Sequence, residues 1–259
     1  MKYRPAAMAG SFYPEDKVPL QQMVTAFLAS EQKPMQQARA LIVPHAGYIY
    51  SGAIAGLAFA NLTPYVNNIK RVIILGPNHR EPLLGCALSS ADYFQTPLGK
   101  LTLDQVTQNR LATLDFVEFA DYVHQLEHSI EVQLPFIQML FTDITIIPIV
   151  VGQCSADKVN KLLQELALTQ QDLLVISSDL SHFHEYQQAQ RIDQNSCANI
   201  LHFASTINGQ QACGANAING LLRYAKTANW QITLIKNINS GDTAGDKQRV
   251  VGYGSFKLY

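Results

Sequence analysis

The chain has 259 residues, 47% of them hydrophobic, and carries a formal net charge of −1 at pH 7. That is ample for a large core, and the near-neutral balance gives no electrostatic reason to expect nucleic acid or an anionic membrane as partner. No apolar run approaches bilayer length, and Met1 to Pro14 lacks the apolar stretch of a signal peptide. The four cysteines (Cys86, Cys154, Cys197, Cys213) form no Cys-x-x-Cys pair and no disulfide-dense spacing, so a soluble, reduced, cytoplasmic protein is expected.

The segment Arg4 to Pro14 (RPAAMAGSFYP) is a lead-in punctuated by Pro and Gly, with Phe12 and Tyr13 expected to dock on the body of the domain. Pro19 to Ser30 predicts an amphipathic helix with Leu20, Met23, Val24, Phe27 and Leu28 on one face, followed by a linker from Glu31 to Gln37. Ala40 to Val43 is a short apolar strand. Pro44 lacks an amide hydrogen and ends its ladder, which leaves His45 just beyond the strand's carboxyl end. Gly47 and Gly52 suit a tight loop before a helix over Ala53 to Leu62.

The pattern recurs. Arg71-Val-Ile-Ile-Leu75 runs into Gly76-Pro77 with His79 in the loop, and Asp172-Leu-Leu-Val-Ile176 is followed by Asp179 and His182. Ile144 to Val151 is a fourth strand, ending at Gly152 and Gln153 without a strong ligand. Helical patterns over Glu127 to Leu140, Asp157 to Leu166, Ala189 to Phe203 and Ile218 to Tyr224 separate or follow these strands. Two strands, Gln231 to Lys236 and Arg249 to Leu258, close the chain around a polar loop, Ser240 to Gly245. Alternating strands and helices predict one α/β domain over residues 1–259, with a largely parallel central sheet flanked by helices.

A lone loop histidine is usually solvated or structural. Three of them, His45, His79 and His182, at equivalent strand ends argue for a shared crevice, because open α/β sheets bind ligands outside the carboxyl ends of their strands. A second constellation is His124-Gln-Leu-Glu-His-Ser-Ile-Glu131. On a continuous helix, His124, Glu127, His128 and Glu131 would share one face, although the order is not the His-Glu-x-x-His of zinc peptidases. A pocket-wall role is expected for Glu127 and His128. Cys213 precedes Gly214 and an apolar helix, where the helix dipole and free amides favour a thiolate; Cys86, Cys154 and Cys197 fit buried, inert thiols better. Phosphate loops and a Gly-x-Ser-x-Gly elbow are absent, and the isolated glycines of Gly241-Asp-Thr-Ala-Gly245 are weak evidence of phosphate binding.

Taken together, Arg4-Pro5 with Ala9-Gly-Ser-Phe-Tyr-Pro14, Pro44-His-Ala-Gly-Tyr48, Leu75-Gly-Pro-Asn-His79, Glu127-His-Ser-Ile-Glu-Val-Gln-Leu-Pro-Phe136, Ser177-Ser-Asp-Leu-Ser-His182 and Cys213-Gly214 resemble the Memo family along nearly the whole chain. The resemblance implies the fold of the class III extradiol dioxygenases, which are iron enzymes. It further implies that His45, His79 and Cys213 ligate a metal, with Cys213 standing where the dioxygenases use a carboxylate. His182 would hold the acid–base position, assisted by Asp179, with Glu127, His128 and Tyr48 in the pocket wall. A thiolate in place of a carboxylate softens the site toward copper, leaving iron open and zinc possible, so ring-opening activity does not transfer with the fold. Two functions compete: a copper- or iron-dependent redox enzyme, and a non-catalytic module binding a small molecule or peptide, as the link of animal members to phosphotyrosine peptides suggests. Prokaryotic relatives point to an AMMECR1-domain or radical-SAM protein as partner.

Overall fold

A computed structural model describes residues 1–29 and 36–259. In chain order these form β1 (Tyr3–Arg4), α1 (Lys17–Leu28), β2 (Ala40–Val43), α2 (Tyr48–Ala60), β3 (Arg71–Pro77), β4 (Cys86–Leu88), β5 (Tyr93–Thr96) and β6 (Gly99–Leu103). Then come α3 (Gln105–Leu111), β7 (Val117–Phe119), α4 (Asp121–Gln125), α5 (His128–Glu131), α6 (Leu134–Leu140), β8 (Thr145–Val151) and α7 (Ala156–Glu165). The remainder is β9 (Asp172–Ser177), β10 (His182–His184), α8 (Tyr186–Leu201), α9 (Ala215–Thr227), β11 (Ile232–Asn239) and β12 (Val250–Leu258).

The centre of the sheet runs β8-β3-β9-β2, and every neighbouring pair in it is parallel. Antiparallel β12 flanks β2, and β11 and β10 pair with β12 in turn. Register is set by burial on both faces. Leu41 and Val43 join one core cluster, with Leu20, Phe59 and Phe136, while Ala40 and Ile42 join the other, with Val159, Leu162 and Leu221. Val72 and Ile74 likewise oppose Ile73 and Leu75. Such strands read as continuous apolar runs because helices cover both sides. The consequence for function is positional: Val43 lies beside Ser177 and Leu75 beside Ile176, so the chain leaves three neighbouring strands at one edge of the sheet.

Several predicted elements shift. The second helix begins at Tyr48 rather than Ala53, so Gly52 is helical and does not serve the loop. Its role, shared with Gly56, is close approach: a Cβ at Gly52 would fall 2.4 Å from the Phe27 ring, and one at Gly56 2.6 Å from the Phe27 carbonyl oxygen. The helix expected over Glu127 to Leu140 is split into α5 and α6, with Val132 and Gln133 between them, and extended Glu127 caps α5 rather than joining it. Part of the linker predicted from Glu31 to Gln37, and the last residue of the helix predicted to Ser30, lie outside the described residues. The polar loop from Ser240 tightens into a turn that the Asn239 side chain caps at the Gly241 amide, 2.9 Å. No helix among the described residues is long and apolar enough to cross a membrane.

Candidate metal centre

The break at Leu126 and Glu127 separates the four polar side chains that a continuous helix would have aligned. His124 is buried with Nε2 3.1 Å from the Ala87 carbonyl. Burial, then the Arg4 charge, brings its imidazole down to about 4. Glu131 is fully buried and holds the lead-in: Arg4 Nη1 at 2.5 Å, the Met8 amide at 2.8 Å, the Ala7 amide at 3.0 Å, and the Tyr13 hydroxyl. That clamp sets Phe12 against the His128 ring, with centroids 4.6 Å apart. Only Glu127 and His128 of the four reach the strand-end crevice.

There, His45, His79 and His128 each offer a ligand atom, all within 4.8 Å of one another. The ring centroids of His45 lie 5.2 Å from those of both His79 and His128, and the latter two stack at 4.5 Å. His45 is buried, His128 half-buried and His79 exposed, so the group has a protein side and a solvent side.

Hydrogen-bond counting assigns the proton on two of these rings. Ser177 Oγ donates its one hydrogen to the Ser129 carbonyl at 2.5 Å and accepts from Gln133 Nε2 at 2.9 Å. His45 Nδ1, 3.0 Å away, must therefore donate to Ser177, which leaves Nε2 as a lone pair facing the site. Glu127 accepts the His79 amide at 2.8 Å, His79 Nδ1 at 2.9 Å and the Ser129 amide at 2.9 Å. A carboxylate only accepts, so His79 also carries its proton on Nδ1 and presents Nε2. Backing an imidazole by a carboxylate or other acceptor is how proteins orient metal-binding histidines.

Electrostatics keep His45 and His128 neutral. Burial, then the neighbouring His128 and His79, holds His45 well below the usual imidazole range. Burial, with His79 and Arg80 adding to it against the pull of Glu127, brings His128 down to about 4. Burial alone would raise the Glu127 carboxyl, but the His79 hydrogen bond and charge, the Ser129 amide and His128 bring it down to about 2. The result is that His45 and His128 stay unprotonated beside the Glu127 anion, and with His79 they form a donor set that fits a transition metal.

Cys213 borders this group without belonging to it. Its Sγ lies 3.3 Å from His45 Nε2 and 3.7 Å from the Asp179 carbonyl, outside the mutually close set. Gly214 makes the approach possible, since a Cβ there would fall 2.7 Å from Ser178 Cβ. The expected dipole effect on the thiol is outweighed. Burial and the Asp179 charge push it up to about 12 despite the Gly214 amide. Asp179 accepts the His45 amide at 2.7 Å and brings Oδ2 to 4.0 Å from His45 Nε2; burial raises its carboxyl. His182 is half-buried on β10 and interacts electrostatically with both His45 and Asp179.

Tyr48, expected in the pocket wall, is in the core instead. It is buried, donates its hydroxyl to the Val132 carbonyl at 2.7 Å and packs on Phe136. Tyr50 lines the cavity of about 430 Å³ that opens beside His128 and Asp179, along with Phe12, Phe183, Arg249 and Tyr253. A smaller cavity, about 300 Å³, is bordered by Cys213. Sequence reasoning missed Ser177 and Gln133. Both stand in the quoted motifs, but only their partners show what they do.

The model for "Memo-like protein" matches residues 4–257. The chain belongs to the Memo family. A MEMO1 family protein of Thermoplasma volcanium is 31% identical over 262 residues, covering 97% of each chain. One from Aquifex aeolicus is 31% identical with 98% of each covered, and one from Methanosarcina mazei is 33% identical over 273 residues, again covering 98% of each. An uncharacterised protein from Escherichia coli K12, known by crystal structure, shares the fold with a TM-score of 0.53 at 12% identity, over 85% of this chain and 99% of that one.

Proposed function

We propose that this Memo-family chain is a metal-dependent redox enzyme, holding copper or iron through His45 and His79, with His128 and Cys213 as the further donors. The observation that carries the reading is the convergence of His45, His79 and His128, whose ligand atoms lie within 4.8 Å of one another. A bound copper or iron ion supplies one-electron chemistry there. The chain's own residues do the rest. Ser177 and Glu127 hold two imidazoles with their lone pairs inward. Asp179 fixes the loop that carries His45 through that residue's amide, and His182, which interacts electrostatically with Asp179, accepts or donates a proton. Phe12, Tyr50, Phe183 and Tyr253 give the larger cavity an aromatic lining suited to a small organic substrate.

The test is elemental analysis of protein purified without added metal, followed by oxygen uptake with a reductant, in wild type and His79→Ala. Copper or iron near one equivalent with uptake that His79→Ala abolishes supports the proposal. Protein that neither retains nor takes up either metal overturns it. The aromatic lining also favours a second reading, a module that binds a peptide side chain without turnover. Metal-independent peptide binding in the same cavity would select it.

A further inference from the structure

Two thiols outside the metal centre lie against each other. Cys86 opens β4 opposite Val151 in antiparallel register, and the chain beyond Val151 turns through Gly152 and Gln153 so that Cys154 returns onto Cys86. The two sulfurs are 3.8 Å apart, at 0% and 4% residue exposure. The strands around them are closely tied: the Gly85 amide donates to the Gln153 carbonyl at 3.0 Å, the Gly152 amide to the Gly85 carbonyl at 2.9 Å and the Gln153 amide to the Leu83 carbonyl at 2.9 Å.

We propose that Cys86 and Cys154 are a disulfide-forming pair, a redox-modification site separate from the histidine cluster and independent of whether a metal is bound. The oxidant is a peroxide or a low-molecular-weight disulfide. With a peroxide, the Cys154 sulfur attacks one oxygen, forming a sulfenic acid and releasing water. The Cys86 sulfur then displaces the second water as the sulfur–sulfur bond forms. Two thiols lose two hydrogens in all and one peroxide becomes two waters. Cys154 is the attacking partner because it is the less buried of the two. In addition, the Cys86 hydrogen bond and the Lys158 ammonium, working against burial, lower its thiol.

The modification has a route to the site. Closing 3.8 Å to a bond of about 2.05 Å draws the Gly152–Cys154 turn toward β4. That turn already lies close against the segment entering β4, since a Cβ at Gly152 would fall 2.3 Å from the Leu83 carbonyl oxygen. Gly152 and Gln153 line the 300 Å³ cavity that Cys213 also borders, and the Gly152 carbonyl accepts Asn216 Nδ2 at 3.0 Å from the first turn of α9. Oxidation at Cys86 and Cys154 therefore reshapes the wall facing Cys213.

The test is intact mass spectrometry of the native, full-length, metal-free protein treated with hydrogen peroxide or glutathione disulfide, with peptide mapping under non-reducing conditions. The expected result is a loss of about 2 Da, reversed by dithiothreitol and mapped to Cys86–Cys154. It persists in Cys213→Ser and disappears in Cys86→Ala and Cys154→Ala. Alkylation of wild-type protein before and after oxidation gives the same answer if either variant fails to fold. A bond that forms only after denaturation, or one that maps to Cys213 or Cys197, overturns the proposal. Hydrogen exchange tests the coupling: oxidation should change the rate in the peptide spanning residues 213–217 by at least about threefold. Unchanged exchange there overturns the link to the cavity.

Discussion

The sharpest test of the histidine cluster removes a charge that never touches the metal. Glu127 accepts three hydrogens, from the His79 amide, His79 Nδ1 and the Ser129 amide. Glu127→Gln keeps the shape but supplies one acceptor oxygen and turns an NH2 toward at least one of those donors. With the NH2 in the Oε1 place, where His79 Nδ1 and the Ser129 amide both point, the His79 proton moves to Nε2 so that Nδ1 accepts from the new amide. The nitrogen facing the site then carries a hydrogen and cannot ligate. Loss of such an outer partner typically weakens metal binding 10–100-fold, or about 1.4–2.7 kcal/mol. Anaerobic calorimetric titration of Cu(I) and of Fe(II) into wild type, Glu127→Gln and His79→Ala measures it. The expected order is wild type tightest, Glu127→Gln intermediate and His79→Ala weakest. Glu127→Gln binding both ions within twofold of wild type, with its fold intact by circular dichroism, would refute the assignment of Glu127 as the group that orients His79.

Four further outcomes are expected. Glu131→Gln leaves the buried Arg4 guanidinium without its carboxylate and should cost about 3–5 kcal/mol in urea unfolding; a loss below about 1 kcal/mol would mean that the clamp on the lead-in is dispensable. Gly56→Ala drives a methyl group into the Phe27 backbone and should cost about 1–3 kcal/mol, whereas an unchanged midpoint would show that α1 can move away freely. His128, brought down from 6.5 to about 4, contributes stability that is present above pH 6.5 and lost as pH falls through 4. The loss is on the order of 3 kcal/mol, so the metal-free wild type should lose more stability over that window than His128→Asn, and parallel curves would exclude a titrating His128. Cys213→Ser should weaken Cu(I) binding more than Fe(II) binding, because thiolate is the softer donor; equal effects on both ions would remove Cys213 from the ligand set.

How much of this was legible in the sequence depended on how local each signal was. The strand at Ala40–Val43 was read to the residue, because an apolar run stopped by Pro44 is local information. The convergence of His45 and His79 follows from β2 and β3, the two parallel strands that flank β9, in a sheet that the alternation of strands and helices implies. His128 was assigned to the wall, and its place among the close donors was not visible. The reason is the chain's exit from helical geometry at Leu126 and Glu127, which no Pro or Gly announces. The same break sends His124 away from the crevice, and Glu131, on α5 with His128, turns to the Arg4 and Met8 clamp instead. Tyr48 follows a motif histidine closely enough to suggest the pocket, yet helix α2 starts at that residue and turns its ring into the core. Cys86 and Cys154 each read as an inert buried thiol. Their contact depends on the pairing of β4 with β8, a non-local fact that neither residue's neighbours encode.

The relation of Cys213 to the three imidazoles can be weighed against the dimensions of a bound ion. With metal–sulfur and metal–nitrogen distances of about 2.3 and 2.05 Å, a tetrahedral centre separates sulfur from nitrogen by about 3.6 Å and nitrogen from nitrogen by about 3.3 Å. The contact of 3.3 Å between Cys213 Sγ and His45 Nε2 is already near the first spacing. The histidine group, whose ligand atoms spread up to 4.8 Å, is wider than the second and has to contract around an ion. His79 is the member with most room to shift: it is exposed, on a loop, and hydrogen-bonded to Glu127, while His45 is buried and held by Ser177 and Asp179. On the proposed reading, His45 is the fixed corner shared by two donor sets. One set adds His79 and His128, and the other adds a thiol that keeps its proton until a cation displaces it. A thiol held near 12 yields that proton only to an ion that binds sulfur strongly. The expectation is that the chain offers imidazole alone to a harder ion and adds sulfur for a softer one, with His45 Nε2 in the same place in both, which the Cys213→Ser titrations check.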